Sequence, residues 1–155
     1  MIVKTPTKYF LVAGSSEGYT ELNSFDGALL NAGIGNTNLI KVSSILPPSC
    51  EYIEPVKLPY GAIVPIAYAS ITSQLEGEII SAAVAVAVPE DSSKPGLIME
   101  YSSRGRHKDI EEIVRNMAKK GMELRGEKLK EIKSISIEHK VNHIGTAFAG
   151  VVLWD

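Results

Sequence analysis

The run Asn36-Thr37-Asn38-Leu39-Ile40-Lys41-Val42-Ser43-Ser44-Ile45-Leu46-Pro47-Pro48 sets two adjacent hydroxyls at the end of an apolar, strand-like stretch, just ahead of a double proline. A serine hydroxyl held beside the carbonyl of the preceding residue can attack it, and well-aligned intramolecular reactions reach effective molarities of about 10⁵ to 10⁸ M. The Ser43–Ser44 bond is therefore a candidate for self-cleavage. The same residues also suit a polar strand end entering a turn, and the doublet alone does not separate the two readings. Glu100 is a second candidate, a carboxylate inside the apolar run Gly96-Leu97-Ile98-Met99-Glu100-Tyr101. Other familiar chemistries find less support. His107, His139 and His143 are scattered or sit on a turn, and His139-x3-His143 lacks the cysteines or HExxH setting of a zinc site, so no metal is expected. Gly33-x-Gly35 follows a helix, whereas a dinucleotide fingerprint needs glycines between a strand and the helix it opens. Gly14, Gly18, Gly33 and Gly35 read instead as loop and cap geometry.

The bulk properties narrow the setting. A chain of 155 residues fits one domain, residues 1–155, and can bury a real core. With 45% hydrophobic and 22% charged residues and a net charge of −2, neither nucleic acid nor an anionic membrane is an evident partner. Cys50 is the only cysteine, which excludes an internal disulfide and reads as a bystander in a reducing compartment. The start Met1-Ile2-Val3-Lys4-Thr5-Pro6 shows no charged segment followed by an apolar one, and no stretch offers the roughly 18 apolar residues of a membrane span. A cytoplasmic protein is the expectation.

The elements that must position these groups can be read from periodicity. Tyr9 to Ala13 predicts a strand entering a flexible loop at Gly14-Ser15-Ser16-Glu17-Gly18. Ser24 reads as the N-cap of a short helix over 25–32, with Asp26 in its first turn and Gly33 beyond its end. Asn38 to Leu46 predicts a strand stopped by Pro47-Pro48, which cannot donate to a ladder. Ala62 to Thr72 and Glu78 to Val88 predict strands joined by a hairpin-length connection. In the second of these, Ile80, Ala82, Val84, Val86 and Val88 line one face and Ile79, Ser81, Ala83, Ala85 and Ala87 the other. Both faces are therefore expected to be buried, as in a central strand. Another strand is expected from Gly96 to Tyr101. Asp109 to Arg125 is the clearest helix, with Ile110, Ile113, Val114, Met117, Ala118, Gly121 and Leu124 on one face, acids at its start and bases towards its end. Strands over 132–138 and 146–154, separated by a turn region at 139–145, complete an α+β sandwich with helices against a mainly antiparallel sheet.

Several ordered blocks resemble the pyruvoyl-dependent arginine decarboxylases of archaea. They are Ala13-Gly14-Ser15-Ser16-Glu17-Gly18, Asn23 to Asn36, Asn38-Leu39-Ile40, Ser43-Ser44-Ile45-Leu46-Pro47-Pro48, Leu58-Pro59-x-Gly61-Ala62, Ser81-Ala82-Ala83, Gly96 to Tyr101 and Ala147-Phe148-Ala149. The resemblance covers nearly the whole chain; Ser102 to Lys108 carries no recognised motif. It implies a layered αββα-type sandwich, and it turns the serine pair from a strand end into a processing site.

By the same resemblance, Ser44 Oγ would attack the Ser43 carbonyl, and elimination from the resulting ester would leave a β chain of 1–43 and an α chain of 44–155. The α chain would begin with a covalent pyruvoyl group derived from Ser44. Its ketone would condense with the substrate α-amine and accept the electrons released by carboxylate loss, so no dissociable cofactor is needed. Asn38 would stabilise the processing oxyanion, a type of contact whose removal costs about 3 to 4 kcal/mol. Glu100, desolvated by Ile98 and Met99, would return the proton as general acid. Asp26 would hold the guanidinium of arginine through a planar two-point contact. The resemblance further implies a homotrimer of αβ protomers with sites between neighbours, and agmatine formation for polyamine biosynthesis. Two alternatives stay open: a pyruvoyl decarboxylase of another amino acid, and an uncut, noncatalytic subunit.

Overall fold

Side chains alternate across a strand with period two, and in β1 (Lys8–Glu17) that alternation serves two different cores. Tyr9, Leu11 and Ala13 enter one apolar cluster while Phe10 and Val12 enter another. The computed structural model describes residues 3–155; Met1 and Ile2, which open the Met1–Pro6 start read above, lie outside the described residues. After β1 come α1 (Glu21–Asn31), β2 (Asn38–Lys41), β3 (Ile45–Leu46), β4 (Glu51–Tyr52), β5 (Ile63–Ser73), β6 (Ile79–Pro89), β7 (Gly96–Arg104), α2 (His107–Leu124), β8 (Leu129–Lys140) and β9 (Gly145–Trp154). Two sheets form, with strand orders β2-β5-β9-β1-β4 and β3-β7-β6-β8. Among the described residues only β1–β4 and β2–β5 pair in parallel. The α+β reading and the layered αββα arrangement both hold.

Three apolar clusters fill the three spaces between four layers. Phe10, Ala28, Ile66 and Phe148 pack α1 on the first sheet. Ala67, Ala149, Val84, Val86 and Ile98 fill the space between sheets. Ala83, Ala85, Ala87, Val114 and Ala118 pack the second sheet on α2. β6 is the interior strand expected, with its valine face against the other sheet and its alanine face against α2. Among the described residues no helix is long and apolar enough to cross a membrane.

Tertiary packing changes several local expectations. The segment read as a loop after Ala13 continues β1 to Glu17, because β9 supplies a partner for every residue from Gly14↔Phe148 to Glu17↔Gly145. Gly14 is a packing residue there: a Cβ would lie 2.3 Å from the carbonyl oxygen of Ala28 and 2.6 Å from the nitrogen of Ala32. Helix α1 begins earlier than expected, with Thr20 as N-cap accepting the Asn23 N–H at 3.1 Å. Ser24 lies inside the helix, and its hydroxyl donates to Glu21 O at 2.7 Å. With that single proton committed, Thr146 must donate to Ser24 (2.6 Å) and Thr72 to Thr146 (2.7 Å). This gives a one-way chain of hydroxyls that satisfies two fully buried residues, Ser24 and Thr146. Gly33, with φ +85°, does end the helix as expected.

β5 and β6 do not pair as a hairpin. They belong to different sheets and stack through their apolar inner faces, the other strands having taken their edges. Helix α2 starts at His107 and buries Met122, while Ile113 and Leu124 are exposed (40% and 87%). Its Glu111 reaches β8, accepting hydroxyl protons from Ser134 and Ser136 at 2.6 Å each.

Glu17 joins the two sheets at one end. Its carboxylate meets His139 Nε2 of β8 at 2.6 Å and accepts the N–H groups of His143 (2.7 Å) and Asn142 (3.3 Å). Burial pushes this carboxyl up, but the His143 N–H, the His139 ring and the Asn142 N–H outweigh it and hold the group at about 2. A folded value below the usual 4.5 means that stability from Glu17 is fully present above about 4.5 and is lost as pH falls through about 2. The stability difference between the parent and Glu17→Gln should therefore shrink across that window in urea titrations; a difference constant from neutral pH to about 2 would contradict the assignment. Gly14→Ala should lower stability by about 1 to 3 kcal/mol in the same assay, because the added methyl meets helix backbone that cannot yield locally.

Candidate active site at the crossover between the sheets

The residues read as one strand from Asn38 to Leu46 are two strands in two sheets. β2 runs parallel to β5 from Asn38↔Ile63 to Lys41↔Ile66, and Val42 N–H extends the ladder to Ile66 O at 2.9 Å. β3 pairs antiparallel with β7, Ile45↔Leu97 and Leu46↔Gly96. Ile98 N–H carries that ladder one residue back, to Ser44 O at 2.7 Å. The Ser43–Ser44 peptide thus lies in the gap between Lys41 and Ile45, in neither ladder, with each flank tied to a different sheet. Ser43 is exposed and Ser44 half-buried. The doublet is therefore a crossover and not the strand end entering the proline turn.

Because Ser44 stands opposite Ile98, Glu100 lies two residues further along β7 on the same face, a diagonal of about 7 to 8 Å. Its surroundings differ from the dry carboxyl site expected. Met99 points the other way, into the cluster beneath α2. Lys41 Nζ stands 3.0 Å from Glu100 Oε1, while Glu100 Oε2 is buried and meets no hydrogen-bond donor among the described residues. The same ammonium lies 4.6 Å from the centroid of the Tyr68 ring, a cation–π contact. Tyr68 in turn packs on Phe148 (5.2 Å between centroids) and Phe25 (6.1 Å). Lys41 and Glu100 are part-exposed, 52% and 33%, so their pairing contributes no more than about 1 kcal/mol to stability. Its consequence is orientation.

The other two residues taken from the family pattern lie elsewhere in the chain. Asn38 sits at the opposite end of β2, its Nδ2 donating to Gly61 O at 3.1 Å. On a strand rising about 3.3 Å per residue, roughly 13 Å separate it from Val42, where the crossover begins. Asp26 is on the exposed side of α1, beside a cavity of about 390 Å³ lined by Leu22, Asn23, Phe25 and Leu29. Helix α1 rests mainly on β1 and β9, so about 10 Å of sheet lies between it and β2. One chain brings together Ser43, Ser44 and Glu100 but neither Asn38 nor Asp26.

Lys41 and Tyr68 escaped the sequence reading. A signal for the first was present: Lys41 is the only Lys or Arg between Lys8 and Lys57, and it falls three residues before Ser44. None existed for Tyr68, which reaches Lys41 only through the β2–β5 pairing. The remaining titratable candidates have structural partners. His107 Nδ1 meets Ser136 Oγ at 2.9 Å at the start of α2, and His139 meets Glu17. Burial pushes the Cys50 thiol up to about 11, which leaves it protonated and unreactive at neutral pH. Among the described residues no group of three or more His, Cys, Asp or Glu could hold a metal ion.

Comparison with known proteins meets this geometry. The family model described as pyruvoyl-dependent arginine decarboxylase matches residues 8–155. A protein of that name from Methanocaldococcus jannaschii is 57% identical over 151 residues, covering 97% of this chain and 92% of its own. Its counterpart from Methanococcus maripaludis is 48% identical over the same shares, and one from Pyrococcus abyssi is 44% identical over 97% of this chain and 96% of its own. The match spans every strand and both helices, the crossover included, and the chain belongs to the pyruvoyl-dependent arginine decarboxylase family.

Proposed function

We propose that this chain is the precursor of an enzyme that decarboxylates L-arginine to agmatine and CO2 after cutting itself between Ser43 and Ser44. The observation that carries the reading is the crossover: a serine peptide outside both ladders, flanked by anchored strands, with a buried unpartnered carboxylate oxygen on the same face. Family membership and the names of the relatives support the substrate.

In the first step Ser44 Oγ adds to the Ser43 carbonyl carbon and the peptide C–N bond breaks, leaving an ester and a free amine on Ser44. Loss of the Ser44 Cα proton then expels the Ser43 carboxylate from Cβ. Residues 1–43 become the β chain, and residue 44 becomes dehydroalanine at the head of the α chain, 44–155. Water replaces its nitrogen, ammonia leaves, and a pyruvoyl group remains. The fit is in the residues themselves: Ser44 O is held by Ile98 N–H at 2.7 Å in the uncut chain, and Glu100 Oε2 has no competing partner among the described residues. The bound group supplies an electron sink for carboxylate loss. Glu100 delivers a proton from Oε2 to the substrate Cα as general acid. Asp26 binds the guanidinium, for which a planar carboxylate is the natural partner.

Asn38 would donate its amide to the processing oxyanion at the Ser43 carbonyl. Since its own chain carries Asn38 and Asp26 away from the crossover, we assign both to a neighbouring copy in a homotrimer of αβ protomers. The exposed Ile40 and Ile45 flanking the crossover, 52% and 42% accessible, and Ile63 opposite Asn38, 58% accessible, give such a neighbour an apolar surface to cover. The reading also includes a cytoplasmic enzyme feeding polyamine synthesis, in keeping with the single cysteine.

Intact mass should resolve two chains whose sum equals the precursor plus one water minus one ammonia, and Ser44→Ala should stay whole. A single uncut species after long incubation would sink the reading in favour of a noncatalytic subunit. The cut protein should release CO2 from arginine and not from histidine, ornithine or aspartate; the reverse preference would move it to another substrate. Supply of Asn38 across the interface has its own test. Asn38→Ala and Ser44→Ala chains, each uncut alone, should when co-expressed yield cut Asn38→Ala chains, because a Ser44→Ala neighbour provides the amide. Mixed assemblies with no cleavage would refute it.

A further inference from the structure

Lys41 has no role in the reaction above, yet among the described residues it is the one charged group paired with Glu100. Resting on the proposed function of this site, we infer that Lys41 is the positioning residue of Glu100. Three observations carry the inference. The ammonium meets only Oε1, at 3.0 Å, and so selects Oε2 as the oxygen left to exchange a proton. The ammonium is itself held from the other side by the Tyr68 ring at 4.6 Å, and that ring is packed against Phe148 and Phe25 of the α1 core. A four-carbon stem with three rotatable donors would otherwise be free to swing. Finally, Lys41 belongs to residues 1–43 and Glu100 to residues 44–155. Once the Ser43–Ser44 bond is cut, this ion pair becomes a contact between two chains, at the point where their covalent link has gone.

The pair is too exposed to matter much for stability, so its effect must be sought in turnover. Proton return to carbon depends on the carboxyl lying within reach of one atom, and a misplacement of 1 Å can cost about 10²-fold in rate. Removing the ammonium frees Glu100 χ angles at the moment of proton transfer while leaving Asp26 and the substrate amine untouched. The expected signature is a loss in kcat with KM nearly constant.

The experiment compares Lys41→Met, Lys41→Arg and the parent, each first checked by intact mass for complete cutting. Lys41→Met should lower kcat on arginine by about 10- to 100-fold with KM within about threefold, and Lys41→Arg should recover most of the loss. Lys41→Met with kcat within about twofold of the parent, or folded but uncut, would overturn the assignment; in the second case the cation serves cleavage. A second readout needs neither cleavage nor activity. In the uncut Ser44→Ala chain, the Lys41 side-chain protons should appear upfield-shifted in NMR spectra by the Tyr68 ring current. Tyr68→Leu should abolish that shift and Glu100→Gln should move it. Lysine signals unchanged by both substitutions would overturn the pair itself. Parent protein that is cut but idle on arginine would count against the decarboxylase reading alone, with the NMR result still deciding the contact.

Discussion

Between Lys41 and Ile45 the backbone has to leave a parallel ladder in one sheet and enter an antiparallel ladder in the other, and the residues between can satisfy neither completely. Val42 donates its last hydrogen bond to Ile66, Ser44 accepts its first from Ile98, and the peptide between Ser43 and Ser44 is left to span the gap. The local consequence is a bond whose two ends are held by separate structures. Breaking it would remove no ladder hydrogen bond, since the flanks keep their own partners. The same crossover carries Lys41 to the edge of the second sheet, where it meets Glu100.

That crossover needs two sheets stacked at a set spacing, and the cores explain why they stack. The inner faces are built mostly from alanine, valine and isoleucine, with Tyr9, Leu46 and Leu153 beside them, and these small and branched side chains pack at close range with little loss of side-chain freedom. Glycine does for the outer layers what alanine does between the sheets. Gly14 lets α1 lie on β1, and Gly121 leaves room for Leu97 beneath α2, its absent Cβ falling 2.1 Å from Leu97 Cδ2. The buried hydroxyls Ser24 and Thr146 enter these layers hydrogen-bonded, in the chain from Thr72 through Thr146 and Ser24 to Glu21, whereas Glu100 Oε2 is buried without a partner among the described residues. The Glu17 carboxylate closes the end of the sandwich by holding both a β8 histidine and the β8–β9 turn.

Legibility followed the range of the forces involved. The amphipathic helix α2, the two-faced burial of β6 and the glycine that stops α1 all depend on neighbours within a few residues, and each was readable. The loop expected after Ala13 was misread because Gly14, Ser15 and Ser16 have low strand propensity; β9 overrides it by pairing with them one for one. The hairpin expected between β5 and β6 failed for a related reason. A short polar connection allows either edge pairing or face-to-face stacking, and the choice is made by strands far away in sequence. Ser24 looked like an N-cap because serine caps helices well, but Thr20 stands four residues earlier and Thr146 gives Ser24 a reason to be buried.

The order of residues alone determined which side chains were available: a serine doublet, a carboxylate in an apolar strand, and the family to which their spacing belongs. These are properties of types and intervals, and they survive without coordinates. Only the tertiary structure decided that the doublet lies between sheets, that Lys41 and Tyr68 stand with Glu100, and that Asn38 and Asp26 do not join them in one chain. Those facts arise from register and layer spacing, where residues tens of positions apart are set side by side by ladders and packing that no local pattern encodes.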